Sequence, residues 1–403
     1  MEVFIKQFYD NNKKFYFLTS DGILDPLGES QITPYLYGLS KKYNLKIFSF
    51  EKQQNIKNAK FINNVKEKLA KHNIKWKYYK YHNNKILKLI EYIKAIIYIN
   101  TLIILDKTII FHLRSYPIGI LLFPLIIFLK LNIIFDMRGF WIHERIDRNN
   151  LKKETLYYFF LLYLEKLLLN KSQTIITLTH EAKFLIKDKF QKQIQNKNLV
   201  VLKTYAETKK FKFIKKINYN KKNITFCYLG SESNAYNLEK TLLILKEISK
   251  ILNNAKFKFI INKSNFTFID QITKLNINKS NYSLHHIKHY EVPNLLEECD
   301  VGIFYANTNQ SIKASFPTKI SEYFSSGMPI MCNNFNSDVS KIILENNLGI
   351  ISKFEKKFIK KDLDKLLQLL SNENRKKIKY FADNNLDISI GISKYDSVYS
   401  SFL

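Results

Sequence analysis

The chain has 403 residues, 46% of them apolar and 25% charged. This is the composition of a folded globular protein, and it excludes a disordered chain, a collagen and a small disulfide scaffold. At roughly 100–200 residues per domain it predicts two domains. The formal charge is +29, with 64 basic residues of which only five are Arg: Arg114, Arg138, Arg145, Arg148 and Arg375. Residues 1–205 carry +18 and residues 206–403 carry +11. A basic balance in both halves favours phosphate-bearing ligands and an anionic membrane surface, and nucleic acid is not the expected partner. The three cysteines show no C-x-x-C spacing, which predicts reduced, buried thiols in a cytoplasmic chain. No secretory leader is expected after Met1. The longest apolar runs, 117–129 and 156–164, fall short of the roughly 20 residues that span a bilayer.

In chain order, strands are predicted over 15–19, 46–50, 74–79, 108–112, 133–136, 174–178 and 199–202. Helices are predicted between them, over 32–42, 56–71, 85–105, 118–130, 153–170 and 180–191. Such alternation needs crossover connections and gives a parallel, doubly wound sheet. A polar, Lys-rich stretch over 208–223 reads as a linker. The alternation then restarts, with strands over 224–229, 256–261, 282–285, 301–305 and 329–332. The helices of this half are predicted over 238–252, 293–299, 318–326, 338–346 and 361–371, with a helical tail over 373–403. The expected fold is therefore α/β, with two Rossmann-like domains facing each other across a cleft at their strand carboxyl ends.

Gly28 and Gly230 each follow the first strand of a half. A strand–Gly–helix joint gathers backbone N–H groups at one spot and suits phosphate. The G-x-G-x-x-G spacing is absent, which disfavours a dehydrogenase. Around Gly28 the run Asp25-Pro26-Leu27-Gly28-Glu29-Ser30 reads as a turn, with Ser30 capping the following helix. His112 and Arg114 end one apolar strand; Asp136 and Arg138 end the next, with Glu144 close behind. In a chain that otherwise writes Lys, a guanidinium at a strand end points to planar, bidentate recognition, or to an Asp–Arg pair that holds a loop. In Ser315-Phe316-Pro317-Thr318-Lys319, Thr318 is placed at a helix cap, where free N–H groups and Lys319 suit an anion. Glu322, one turn on, can accept from vicinal hydroxyls, or simply serve the helix dipole.

These stretches together resemble glycosyltransferase family 4, of the GT-B fold and the bacterial surface-glycan type. The matching runs are DPLGESQITPYLYGLSKK (25–42), FHLRSYP (111–117), IIFDMRGFW (133–141), LKTYAETKKF (202–211), YLGS (228–231), ECDVGI (298–303) and SFPTKISEYFSSGMPI (315–330). The resemblance implies an acceptor domain over 1–207, a linker over 208–223 and a nucleotide-sugar domain over 224–385. It also implies a C-terminal helix, 386–403, packing back on the first domain. Glu322 matches the second Glu of the family's E-x7-E motif and would bind the donor ribose; the first falls on Ala314. The basic pair that grips the diphosphate in relatives falls on Ser231 and Tyr236, and Asp136 stands where many relatives have His. Donor-binding residues are then Gly230, Ser231, Tyr236, Ser315, Thr318, Lys319 and Glu322. Asp136, Arg138 and His112 are the catalytic candidates, and Gly28, Arg114 and Glu144 face the acceptor. Asp136 either orients or deprotonates the acceptor hydroxyl, or holds Arg138 toward the donor phosphate. No metal or other cofactor is implied. The implied activity is transfer of a sugar from a nucleotide-sugar to a glycan or lipid-linked acceptor in surface polysaccharide synthesis. The implied place is cytoplasmic, peripheral on the inner face of the cell membrane.

Two other readings fit the residues: a GT-B-fold sugar-nucleotide epimerase, and a basic module that binds polyanions. His285, His286 and His289 lie close together, but scattered cysteines argue against a zinc site. Asp362-Leu363-Asp364 reads as the acidic first turn of a helix rather than a metal motif. The alternating Lys and apolar residues of 85–94 suit a core-facing helix with a wet side, or contact with a membrane surface.

Overall fold

The computed structural model describes residues 13–213, 223–230, 235–261, 270–273 and 278–403. The chain divides into two compact units, the first running to Lys203 and including Gly391–Leu403, the second Thr204–Ile390.

The first unit is built on seven strands: β1 (Lys14–Thr19), β2 (Asn44–Lys52), β3 (Lys75–Tyr81), β4 (Ile110–Arg114), β5 (Asn132–Asp136), β6 (Thr174–Thr177) and β7 (Asn198–Val201). All pair in parallel, in the order β3-β2-β1-β4-β5-β6-β7. A parallel sheet is covered by helices on both faces, so its central strands read as unbroken apolar runs. Every residue of β4 is buried, and so are four of the five in β5. Strand order reverses between β1 and β4, and a crevice opens beyond the carboxyl ends at such a reversal. Register brings Thr19 beside Arg114, and Arg114 beside Asp136, at that edge.

The second unit repeats the plan with β8 (Thr225–Gly230), β9 (Lys256–Ile261), β10 (Tyr282–His285), β11 (Val301–Phe304), β12 (Ile330–Cys332) and β13 (Gly349–Ile351). The order is β10-β9-β8-β11-β12-β13, again parallel. Here the reversal falls between β8 and β11, which places Gly230 and Phe304 at the switch point. All three cysteines are free and buried.

The structure departs from the sequence-based expectation at several places. A separate short helix, Pro26–Gln31, precedes the expected one, which runs Thr33–Leu39; Asp25 is the N-cap of the first, Ile32 that of the second, and Ser30 Oγ donates back to the Pro26 carbonyl, so Ser30 caps nothing. Pro317 rather than Thr318 is the N-cap of the helix Thr318–Ser325. Strand β13 was not expected, because three residues are too few to show a period. Of the linker expected over 208–223, residues 208–213 belong to the second unit, and residues 214–222 lie outside the described residues. Thr208 Oγ1 donates to Asp387 Oδ2 at 2.8 Å, and Phe211 is buried.

Candidate active site

In the first unit, the carboxyl ends of β4 and β5 carry a dense buried charge cluster. Asp136 has no exposed surface. Its Oδ2 accepts from Tyr395 Oη at 2.7 Å and lies 3.6 Å from His112 Nε2. Arg114 Nη1 and Arg138 Nη1 are each 4.0 Å from the same oxygen. Burial pushes the Asp136 carboxyl up, but Arg138, His112 and Arg114 together outweigh it and hold the group at about 2. Asp136 is therefore an anion at any physiological pH. His112 is enclosed between Phe17 and Tyr399, and its Nδ1 shares a 2.8 Å hydrogen bond with Tyr399 Oη. Burial drives its pKa down against the pull of Asp136, so the ring is neutral.

The loops that follow these strands are strained. Ser115, Arg138 and Gly139 have φ of 70°, 54° and 126°, and positive φ in a non-glycine residue persists only where surroundings enforce it. Ser115 N–H donates to the Asp136 carbonyl at 2.8 Å, which ties the two strand ends together. Arg138 Nη2 donates to Gln31 Oε1 at 2.8 Å, and Arg114 Nε lies 3.6 Å from Asp21 Oδ2. Asp21 is the half-exposed member that opens this cluster to solvent.

Gly28 supports the floor of the same edge. A Cβ there would come within 2.4 Å of the Gly22 carbonyl oxygen and of Ile23 Cα. The loop it packs against is pinned by Glu51 at the end of β2, which accepts from the Ile23 and Leu24 N–H groups at 2.8 and 3.2 Å. Glu144 stands apart from the buried cluster, on the short helix Trp141–Asp147, 3.9 Å from Arg148. Partial burial raises its carboxyl, with Arg148 opposing.

In the second unit, Gly230, Tyr236, Lys319 and Glu322 come together beyond β8 and β11. Lys319 sits in the first turn of the helix Thr318–Ser325, whose N-terminus has no side-chain cap. It is only 6% exposed, and its Nζ has no hydrogen-bond partner among the described residues. The ammonium lies 3.6 Å from the Tyr236 ring centroid and 4.9 Å from those of Tyr228 and Phe304. Gly230 has φ +151°, and a Cβ on it would come within 2.8 Å of this Nζ. Burial pulls the Lys319 pKa down to about 7, with Glu322 opposing. Glu322 is buried one turn on, and His289 Nε2 donates to its Oε1 at 2.8 Å.

Ser315 precedes the helix. Its carbonyl accepts from Asn336 Nδ2, which also reaches the carbonyls of Ile312 and Lys313, all at 3.0 Å. Ser231 lies outside the described residues. Sequence reasoning passed over Asp21, Tyr395, Tyr399, Glu51 and Asn336, and weighed His289 only as a metal ligand. Among the described residues, no cluster of His, Cys, Asp and Glu could hold a metal ion.

Residues 209–385 match the family model of glycosyl transferases group 1. The second unit therefore carries a glycosyl transferases group 1 domain. Solved structures extend the likeness to the whole fold. Sucrose-phosphate synthase from Thermosynechococcus elongatus is 8% identical, with a TM-score of 0.68 over 97% of this chain and 99% of that one. A glycosyltransferase from Rickettsia africae ESF-5 is 12% identical, with a TM-score of 0.64 over 97% and 99%. The E. coli structure described as trehalose-6-phosphate bound with UDP-2-fluoro glucose is 11% identical, with a TM-score of 0.64 over 95% and 98%. At these identities the likeness carries the two-domain GT-B fold of this chain. No curated protein sequence matches it.

Proposed function

We propose that this glycosyltransferase moves a sugar from a nucleotide-sugar donor, held by the second unit, to a glycan or lipid-linked acceptor met by the first. Surface polysaccharide synthesis at the inner face of the cell membrane is the setting proposed for it. The observation that carries the donor assignment is Lys319. A buried ammonium with no hydrogen-bond partner among the described residues, and whose opposing carboxylate, Glu322, is bonded to His289, costs free energy, and a diphosphate would supply both a counter-charge and acceptors. When the bond between the anomeric carbon and the diphosphate oxygen breaks, negative charge grows on the leaving oxygen. Lys319 and the uncapped helix N-terminus then stabilise it where it forms. Gly230 keeps that space free of a side chain, and Tyr236 carries the cation on its ring face. Glu322, oriented by His289, is placed for the ribose hydroxyls. The UDP-2-fluoro glucose in the E. coli neighbour is a compound of the proposed donor class.

The first-unit cluster has a different part. A carboxylate with a pKa of about 2 and no exposed surface is a weak general base, since an effective base has a pKa near the working pH. Asp136 instead fixes Arg114 and Arg138 at the strand ends, and His112 with Tyr395 and Tyr399 fixes Asp136. Arg138, Asp21 and Glu144 remain to meet the acceptor. A thermal-shift panel of sugar nucleotides tests the donor half: one or more should raise the melting temperature, and Lys319→Met should abolish that shift. If none does, the proposal fails. Product mass separates transfer to an acceptor from epimerisation of the donor alone.

A further inference from the structure

A buried carboxylate at the end of β2 has no part in the chemistry described so far. Glu51 has no exposed surface, and a buried charge persists only where hydrogen bonds replace its water. Side chains alternate along a strand, so Ser49 and Glu51 share one face of β2, and register puts Trp76 of β3 on that face beside Ile47. Trp76 Nε1 donates to Ser49 Oγ at 2.9 Å, and Ser49 Oγ donates on to Glu51 Oε1 at 2.6 Å. The same Oε1 accepts from the Ile23 N–H at 2.8 Å, and Oε2 accepts from the Leu24 N–H at 3.2 Å. Three hydrogens therefore point at one carboxylate. A neutral carboxyl would bring a fourth into the same cluster, so the ionised form is the one these donors fit. Burial pushes the Glu51 carboxyl up, and the three bonds oppose it. Gly22 belongs to the same fit: a Cβ there would come within 2.6 Å of Glu51 Oε2.

The loop held in this way joins β1 to the helix Pro26–Gln31, and it reaches both guanidinium groups of the first unit. On one side of the clamp, Asp21 Oδ2 lies 3.6 Å from Arg114 Nε. On the other, the helix rests on Gly22 and Ile23 through Gly28, and its last residue, Gln31, accepts from Arg138 at 2.8 Å. A second clamp lies further out, where Lys52 Nζ and Asn55 Nδ2 hold the Asp25 carboxylate at 2.9 and 2.8 Å. Lys52 is half exposed, and an exposed ion pair stabilises little. Bonds from buried donors to a charged acceptor stabilise more, and their loss leaves those donors stranded.

We propose that Glu51 is a positioning residue for the acceptor side of the enzyme. Its buried carboxylate fixes the loop over 22–25, and through Asp21 and Gln31 it sets the outer faces of Arg114 and Arg138. Glu51 itself touches no reacting group. The inference rests on the reading above, that the first unit meets the acceptor, and adds the residue that shapes that side.

Labelling with p-hydroxyphenylglyoxal, which modifies guanidinium groups, tests this by mass spectrometry. In the wild-type chain the side chains of Arg114 and Arg138, 3% and 11% exposed, should react far more slowly than that of Arg148, 50% exposed. Glu51→Gln keeps the size but turns an acceptor oxygen into a donor, and should raise labelling of Arg114 and Arg138 relative to Arg148 about tenfold. Gly22→Ala, which crowds the carboxylate, should act in the same direction. Glu51→Asp keeps the charge and should recover part of the protection, while Lys52→Ala should leave labelling unchanged. In Glu51→Gln, hydrogen exchange should quicken at the Ile23 and Leu24 amides while the amides of β4 keep their protection. The chain has two Trp, so Trp141→Phe leaves one indole N–H signal for NMR, that of Trp76. Glu51→Gln should move it upfield, because Ser49 no longer donates to a carboxylate. Arginine labelling unchanged by Glu51→Gln overturns the proposal. So does exchange that quickens at β4 in step with the loop, since Glu51 would then hold the sheet as a whole. The sugar-nucleotide thermal shift belongs to the second unit and should persist in every variant. Its absence from the wild-type chain would fail the donor assignment and leave the labelling result to decide this one.

Discussion

The two units bury charge at the same point of the same topology, yet they balance it in opposite ways. At the β1/β4 reversal, the two guanidinium groups of Arg114 and Arg138 face the carboxylates of Asp136 and Asp21. That cluster is close to neutral without a ligand. At the β8/β11 reversal, Lys319 Nζ lies against three aromatic rings and has no hydrogen-bond partner among the described residues, and the nearby carboxylate of Glu322 is bonded to His289. Buried charges that balance one another make a rigid scaffold. A buried charge left unbalanced is a site that waits for its counter-charge. The contrast assigns positioning to the first cluster and anion binding to the second.

The contrast is broken most directly at Lys319. Lys319→Met should weaken nucleotide-sugar binding and lower kcat/KM on the order of a hundredfold. It should also stabilise the ligand-free chain, by roughly 1–3 kcal/mol, or about 2–4 °C in melting temperature per kcal/mol. Calorimetry that finds the variant less stable would mean that the ammonium already has a counter-charge. Asp136→Asn should do the reverse and destabilise by about 3 kcal/mol, because it strands two buried guanidinium groups. Denaturant titration at neutral pH measures that loss; an unchanged midpoint would show that the cluster is not held by its charges.

Smaller effects sharpen the same comparison. His289→Ala should raise the KM for donor about tenfold with kcat nearly unchanged, as expected for a residue that acts through the Glu322 carboxylate. His289→Gln, which keeps a donor, should recover part of it. The pH profiles should also differ in sign. The Lys319 pKa is lowered from its ordinary 10.5 to about 7, so the unfolded chain holds the extra proton between those values. Stability of the ligand-free chain should therefore rise with pH from about 7 to about 10.5, and Lys319→Met should flatten that rise. The Asp136 pKa is lowered from 3.8 to about 2. Its contribution is complete above about pH 4 and lost as pH falls through 2, a loss absent in Asp136→Asn.

Much of the fold was legible because helix and strand periods alternate without a break, and parallel strands announce themselves as short apolar runs. The residues of each cluster were legible as polar groups at strand ends: His112, Arg114, Asp136 and Arg138 in one unit, Gly230 and Lys319 in the other. Their partners were not. Tyr395 and Tyr399 lie in a tail whose sequence shows only helical amphipathicity, and nothing local says which sheet it closes. Glu51 is a lone acid at a strand end, Asn336 one of several asparagines near a helix start. Each acquires meaning only through contacts made distant in sequence. Arg375, the arginine outside the 114–148 cluster, proved structural: it is buried in the second unit and donates to the Gly327 carbonyl at 3.3 Å.

The tyrosines that complete the Asp136 cluster come from Gly391–Leu403, which the ribosome makes after the whole of the second unit. Until then, Asp136 and His112 lack those hydroxyls and the nascent first unit has an open seam beside β4. It therefore cannot close before the second unit has been made, although its sheet is the first to emerge. Order of synthesis and order of completion are reversed, and a stall before Gly391 would leave the first lobe open while the second is already made.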